Sequence, residues 1–322
     1  CEVRSLPARL YIESEDPDGM NGTDSEKLAR AMQARQRVIK PYRDKMENKY
    51  QWCIAAVPGR AWAKKVFPKD VPSAAEEKLW RAILSASRSL EGNPMANWQA
   101  HNEALEKRCA YLNSLGLASL EYESANGTSL RVGLLKEGLF AGGGERTLSG
   151  VYFNPNIPSE ECFTSPKKGE AEGIVYSTKP LSYQGQLIRN FSVRFENGRA
   201  VEVHAAQGEA ALKKMIQMDE GASMLGECAL VPFRSPINDS RVLFYNTLFD
   251  ENAACHLALG RGFTNCVRGY EQYTEEQLKA MGINDSMIHV DFMIGNDDLD
   301  ITGVTDTGAR IPVFRGGGWA FG

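Results

Sequence analysis

The chain has 322 residues, 43% hydrophobic and 24% charged, and 37 Lys and Arg against 41 Asp and Glu give it a formal net charge of −4. That length exceeds what one hydrophobic core usually serves, so two domains, or one with a large extension, are expected. No run of about 18 apolar residues occurs, which excludes a membrane-spanning helix, and no basic block suggests a nucleic-acid groove.

Asp24 and Ser25 precede a polar, amphipathic run to about Lys49, which Pro41 should kink or end near Lys40. Trp52 to Val57, closed by Pro58-Gly59, has the profile of a buried strand. Ser73-Ala74-Ala75-Glu76 reads as a capping box before Leu79, Trp80, Ile83 and Leu84. A second stripe of Trp98, Leu105, Cys109 and Leu112 ends at Gly116. A strand among helices makes residues 1–116 an α/β layer domain.

After Gly116 the hydrophobic period changes from near 3.6 to 2. Leu120 and Tyr122 should face Leu130, Val132 and Leu134 across Asn126-Gly127. Phe191, Val193 and Phe195 should face Val201 and Val203 across Asn197-Gly198. Asn-Gly turns supply the positive φ that such hairpins need. Helices are expected at about Glu209 to Met218, and from a capping box at Thr274 to Gly282. Residues 117–322 therefore read as mainly antiparallel β with inserted helices, and the whole as an α+β protein in two parts.

The seven cysteines (Cys1, Cys53, Cys109, Cys162, Cys228, Cys255, Cys266) are odd in number and spread out, without a C-x-x-C pair. They read as reduced thiols of a cytoplasmic protein. The chain opens at Cys1 and not at methionine, which leaves room for a segment upstream. A lipidated terminus is the weaker reading, because residues 1–12 look like an ordinary entry to a domain.

Asp285 to Gly295, DSMIHVDFMIG, is the most informative segment. As a strand it puts Ile288, Val290, Phe292 and Ile294 on one face, which makes it central and buried, and His289 and Asp291 on the other. Burying an imidazole and a carboxylate without partners costs several kcal/mol, so they either satisfy each other or hold a metal. Glu227 stands among apolar neighbours in LGECALVPF. His256 lies in ENAACHLALG, read as a helix capped by Asp250. Glu160 and Glu161 fall in the proline-stiffened NPNIPSEECFTSP. Two histidines and several carboxylates, without sulfur, suit two divalent ions such as Zn, Co, Mn or Mg sharing a carboxylate. Cys162 and Cys228, on the opposite faces of their strands, read as core packing.

Asp306-Thr307-Gly308-Ala309 has the letters of an aspartic-protease signature, but its surroundings read as a hairpin turn. Gly142-Gly143-Gly144 lacks a phosphate-loop ending and reads as a flexible loop, a possible rim over a site. His101 and His204 are expected to be solvated.

FYNTLFDENAACHLALG, IHVDFMIG, NIPSEECFTSP, STKPLSYQG and the ending IPVFRGGGWAF together resemble the thermophilic aminopeptidase family of metallopeptidases, of the aminopeptidase T and aminopeptidase S type. The resemblance runs from about Asn154 to the end. It implies that residues 1–116 are the later part of an α/β N-terminal domain. It also implies a dinuclear site of Glu161, Glu227, His256, His289 and Asp291, with Glu227 bridging, in a homodimer that removes N-terminal residues from peptides. The family's tyrosine seven residues after the first site histidine is here Phe263, which has no hydroxyl, and neither Tyr270 nor Tyr273 is an evident substitute. That departure admits an alternative, a homologue that binds metal and peptide without catalysis. A general base is required near the attacking water, and Glu160 is the candidate. Lys179 and Tyr183 receive no role from sequence.

Overall fold

A computed structural model describes residues 2–321; Cys1, and with it the question of a modified terminus, lies outside the described residues. No helix among them is long and apolar enough to cross a membrane.

The N-terminal part holds two parallel strands, β1 (Arg9–Glu13) and β2 (Trp52–Ala56), and three long helices, α1 (Ser25–Met46), α2 (Pro72–Ala86) and α3 (Pro94–Ser114). Asp24 caps α1, its Oδ1 accepting from Lys27 N–H at 3.1 Å. Pro41 lies inside α1 and does not end it. The expected capping box of α2 is absent: the helix starts two residues earlier, on Pro72 behind Val71, because proline at the first helical position has no N–H to leave unsatisfied.

Apart from a two-stranded ribbon of Glu145–Arg146 and Tyr152–Phe153, the remaining strands are β3 (Leu117–Glu123), β4 (Ser129–Leu134), β5 (Cys162–Thr164), β6 (Pro166–Tyr176), β7 (Leu181–Tyr183), β8 (Gln186–Glu196) and β9 (Arg199–Gln207), followed by β10 (Leu225–Leu230), β11 (His256–Gly260), β12 (His289–Met293), β13 (Asp300–Thr305), β14 (Arg310–Arg315) and β15 (Gly318–Trp319). The larger sheet runs β9-β8-β6-β4-β3-β13-β14-β15 with β7 beside β8, and its pairings are antiparallel. The smaller sheet is β12-β11-β10-β5, also antiparallel.

Both Asn-Gly hairpins form. In the second, Asn197 and Gly198 both take positive φ, and a bulge after Arg194 sets Phe195 opposite Ala200, which turns Val201 out to solvent. Helix α4 (Glu209–Ile216) follows β9, and α5 (Glu275–Met281) carries the expected Thr274 capping box and ends at Gly282 with φ +116°. Asp306 to Gly308 form the turn between β13 and β14, with Thr305 N–H donating to Ala309 C=O.

The inner faces of both sheets share one apolar cluster with α3, including Leu105, Leu120, Val193, Leu257 and Phe292. A second cluster joins Trp62, Leu79 and Ile83 to Phe244 and Phe249, so the segment before β11 closes the core of the N-terminal helices. Trp62 Nε1 donates to Phe244 C=O at 2.5 Å across this contact.

Candidate metal centre

The smaller sheet aligns its ionisable side chains in cross-strand rows. Register pairs Glu227 with Ala258 and Ala258 with Asp291, while the next row holds Ala229, His256 and Met293. Directly paired residues share a face. Glu227, His256 and Asp291 therefore converge around Ala258, whose methyl group leaves room between the carboxylates. A bulge between Leu225 and Glu227 sets the register of the acid, and Gly226 within it admits no side chain, because a Cβ would collide with the carbonyls of Gly260 and Arg261. Glu161 immediately precedes β5. Phe163, opposite Ala229, fixes the face that Glu161 shares, while Cys162 and Cys228 point into the apolar cluster.

Two features differ from expectation. His256 lies on a strand, since the helical turn stops at Ala253 and HLALG becomes β11 between β10 and β12; a short apolar run fits either structure until its neighbours decide. Asp250 instead accepts from the N–H groups of Phe244 at 2.8 Å and Asn246 at 3.2 Å. Conversely, β12 is the outermost strand and not a central one.

The donors form two groups. Glu161, Glu227 and His256 make one, Glu227, His289 and Asp291 the other, and within each the ligand atoms lie within 4.8 Å of one another. His256 Nε2 is 3.1 Å from Glu161 Oε2, and His289 Nε2 is 3.1 Å from Glu227 Oε2 and 3.3 Å from Asp291 Oδ1. Two donors bound at about 2.1 Å to one tetrahedral ion stand roughly 3.4 Å apart, so these spacings match a shared cation. Each imidazole is oriented from behind: His289 Nδ1 lies 2.7 Å from Arg261 C=O and His256 Nδ1 3.3 Å from Ala254 C=O. A carbonyl only accepts, so Nδ1 carries the proton and Nε2 is turned to the centre.

Fit to a cation is visible in the protonation of the metal-free cluster. Burial lifts Glu227 to about 7 against the pull of His289. Burial would depress His256, but the hydrogen bond and charge of Glu161 hold it at about 9. His289 stays well above its ordinary range because Asp291 and Glu227 outweigh its desolvation, and its positive charge brings Asp291 to about 2 despite burial. Asp291 Oδ1 is buried, makes no well-aligned hydrogen bond and faces His289 Nε2 at 3.3 Å. A buried set of oxygen and nitrogen donors that holds extra protons in place of a cation is suited to divalent ions.

Glu160 stands outside both groups. Arg88 grips its carboxylate with both terminal nitrogens, the second at 2.8 Å, and His101 Nε2 lies 3.9 Å away. Adjacent residues of an extended chain point opposite ways, so the fold that aims Glu161 at the centre turns Glu160 toward Arg88. His101 is buried against Ser159 C=O at 2.7 Å and is not solvated, whereas His204 is exposed beside Glu202. The triple-glycine segment is packed and not loose: Ala141 bridges Phe163, and a Cβ on Gly142 would collide with Glu161 C=O.

Sequence reasoning missed two acids. Glu251 hydrogen-bonds Asp291, and burial together with Asp291, Glu161 and Glu227 raises it well above its ordinary range. Glu145 is lifted to about 7 by burial and Glu161. Glu251 stood in the quoted ENAACHLALG string, five residues before His256, but a helical reading aimed it elsewhere.

Phe263 packs its ring 4.9 Å from that of His289 and 5.3 Å from Phe163. Tyr270 belongs to an apolar cluster with Leu135 and Val267, and Tyr273 is exposed. Lys179 is held by Asn238 Oδ1 at 2.8 Å, and Tyr183 lines a pocket beside His289.

Residues 3–319 match the thermophilic metalloprotease (M29) family. The chain is 43% identical over 315 residues to aminopeptidase AmpS of Bacillus subtilis, covering 98% of this chain and 77% of that one. It is 41% identical over 313 residues to aminopeptidase T of Thermus aquaticus, covering 97% and 76%. The structure of wild-type AmpT from Thermus thermophilus superposes with a TM-score of 0.88 at 39% identity, over 99% of this chain and 77% of the other. With near-complete coverage at this identity, and with the donor groups of a divalent-metal site brought together on one sheet, the chain belongs to the thermophilic metalloprotease (M29) family.

Proposed function

We propose that the chain is a metal-dependent aminopeptidase that removes the N-terminal residue from peptides. Glu161, Glu227, His256, His289 and Asp291 hold two divalent ions drawn from Zn, Co, Mn and Mg, with Glu227 shared. The observation that carries this reading is that two buried donor groups meet at one carboxylate, Glu227. All five donors come from residues 117–322. The relatives' names, aminopeptidases AmpS and T, support the reaction.

When bound, the ions supply an acidified water and polarise the scissile carbonyl. The chain's own residues do the rest. Arg261 and Ala254 carbonyls hold the imidazoles in the ligating tautomer. Phe263 keeps water from one face of His289. Burial and the charges of Asp291, Glu161 and Glu227 keep Glu251 protonated in the metal-free cluster; bound cations would offset those charges and let it ionise, and it is then the carboxylate placed to take the attacking water's proton and return it to the leaving amine. Glu160, tied to Arg88, steadies the segment beside Glu161, and its own N–H donates to Asn252 Oδ1 at 2.7 Å. The reading without catalysis has no support beyond Phe263, whose ring leaves the five donors together.

The test is hydrolysis of leucine p-nitroanilide by protein stripped with a chelator and then given Zn, Co, Mn or Mg. Activity that returns with metal, is absent on the N-acetylated substrate and tracks two ions per chain supports the reading. Full activity in the stripped protein, or none with any ion on any unblocked substrate, overturns it. Homodimer assembly and cytoplasmic location belong to the same proposal, and sedimentation of the loaded protein checks the first.

A further inference from the structure

An open sheet edge leads out of the metal centre. Arg261 N–H donates to Ile288 C=O at 2.7 Å and Ile294 N–H to Cys255 C=O at 2.9 Å. Antiparallel alternation therefore turns the main-chain groups of residues 288, 290, 292 and 294 toward β11, and those of His289, Asp291 and Met293 outward. The Met293 carbonyl accepts from Thr178 N–H at 2.8 Å, but the outward groups of His289 and Asp291 meet no main-chain partner among the described residues. Residues 287–290 are partly exposed while 291–295 are buried. Folded proteins normally cover or blunt such an edge. Here it borders a pocket of about 300 Å³ walled by Met32 and Gln36 of α1, by Tyr183, Met218 and Met287, and by His289 itself.

We propose that the peptide substrate binds as an added strand, antiparallel to β12, with its first residue opposite Asp291 and its third opposite His289. The inference rests on the aminopeptidase reading and names the substrate class of that site, peptides of three or more residues. Thr178 closes the edge at the Met293 end, so an added chain leaves only past His289. A track blocked at one end accommodates a chain terminus and excludes an internal segment. The amino end lies at the blocked end, beside the donors, and the chain runs out toward the pocket, opposite in direction to β12. His289 and Asp291 then act twice: their side chains face the ions, and their main chains align the substrate. The third residue's N–H donates to the His289 carbonyl, and its carbonyl accepts from His289 N–H. The pocket wall also carries Lys40, Arg43 and Arg261, and its three thioethers and Tyr183 give an apolar side chain after the scissile bond a surface to pack on, because methionine adapts its shape.

The experiment compares leucinamide, Leu-Gly-Phe amide and the same tripeptide amide N-methylated on its third nitrogen, all with metal-loaded protein. Two further hydrogen bonds predict a KM about tenfold lower for the tripeptide than for leucinamide. N-methylation should remove most of that gain while kcat changes less than about twofold. A readout free of turnover uses the two tripeptides with the first peptide bond reduced and a C-terminal fluorophore: anisotropy should show the N-methylated one binding several-fold more weakly. Equal binding, or an unchanged KM, overturns the added strand while leucinamide hydrolysis leaves the aminopeptidase reading standing. If neither leucinamide nor the tripeptide is hydrolysed with any ion, both fall.

Discussion

Glu227 is the acid common to both donor groups, and replacing it by glutamine makes a twofold signature. Removing one donor from each group should leave no ion bound, where His256→Gln, which touches one group, should leave one. Hydrolysis should fall by at least about 1,000-fold, since metal activation contributes several kcal/mol. In metal-free protein the effect on stability has the opposite sign. Glu227 is 4% exposed and burial raises it from 4.5 to about 7. A raised carboxyl favours folding below its unfolded value, and that contribution is lost as pH climbs through the folded one. The gap from 4.5 to about 7 corresponds to roughly 3 kcal/mol lost between about pH 4.5 and 8. Glutamine does not titrate, keeps an oxygen for His289, and avoids this loss. Unfolding entropy for 322 residues converts that difference to roughly 4 °C. The assay is Tm against pH for both proteins in excess chelator, with metal content measured on loaded samples. A Tm difference that stays constant from pH 4.5 to 8, or a glutamine variant that still holds two ions, would show that Glu227 is neither desolvated nor shared.

Ion uptake at pH 7.5 should release close to two protons per chain, because His256 at about 9 and His289, held well above its ordinary range by Asp291 and Glu227, both carry a proton they must shed to ligate. Affinity therefore rises with pH to about 9, and titration calorimetry in buffers of different ionisation enthalpy counts the protons. Arg88→Ala strands the buried Glu160 carboxylate and should destabilise the protein by about 3 kcal/mol, read by denaturant unfolding, with Arg88→Lys restoring part of it. Phe263→Tyr places a hydroxyl beside His289 and should raise kcat several-fold at unchanged ion content; a fall in kcat with intact metal binding refutes the idea that the missing hydroxyl limits turnover.

Local chemistry alone set much of the architecture. The Asn-Gly turns, the Thr274 capping box and the change of period after Gly116 act within a few residues, so the hairpins, α5 and the antiparallel character were legible before any packing was known. The five acid and imidazole side chains that the structure brings together stood in motifs that resemble a known family, and that resemblance, more than any one residue's surroundings, singled them out. What the sequence could not carry was direction. HLALG became a strand only because β10 and β12 flank it, and that choice brought His256 to face Glu161 and moved Glu251 against Asp291. The pairing of Glu160 with Arg88 spans 72 residues, and the burial of His101 depends on Ser159, 58 positions away. Whether β12 lies inside a sheet or at its rim depends on which strand occupies its second side, and no periodicity within IHVDFMIG encodes the neighbour it lacks.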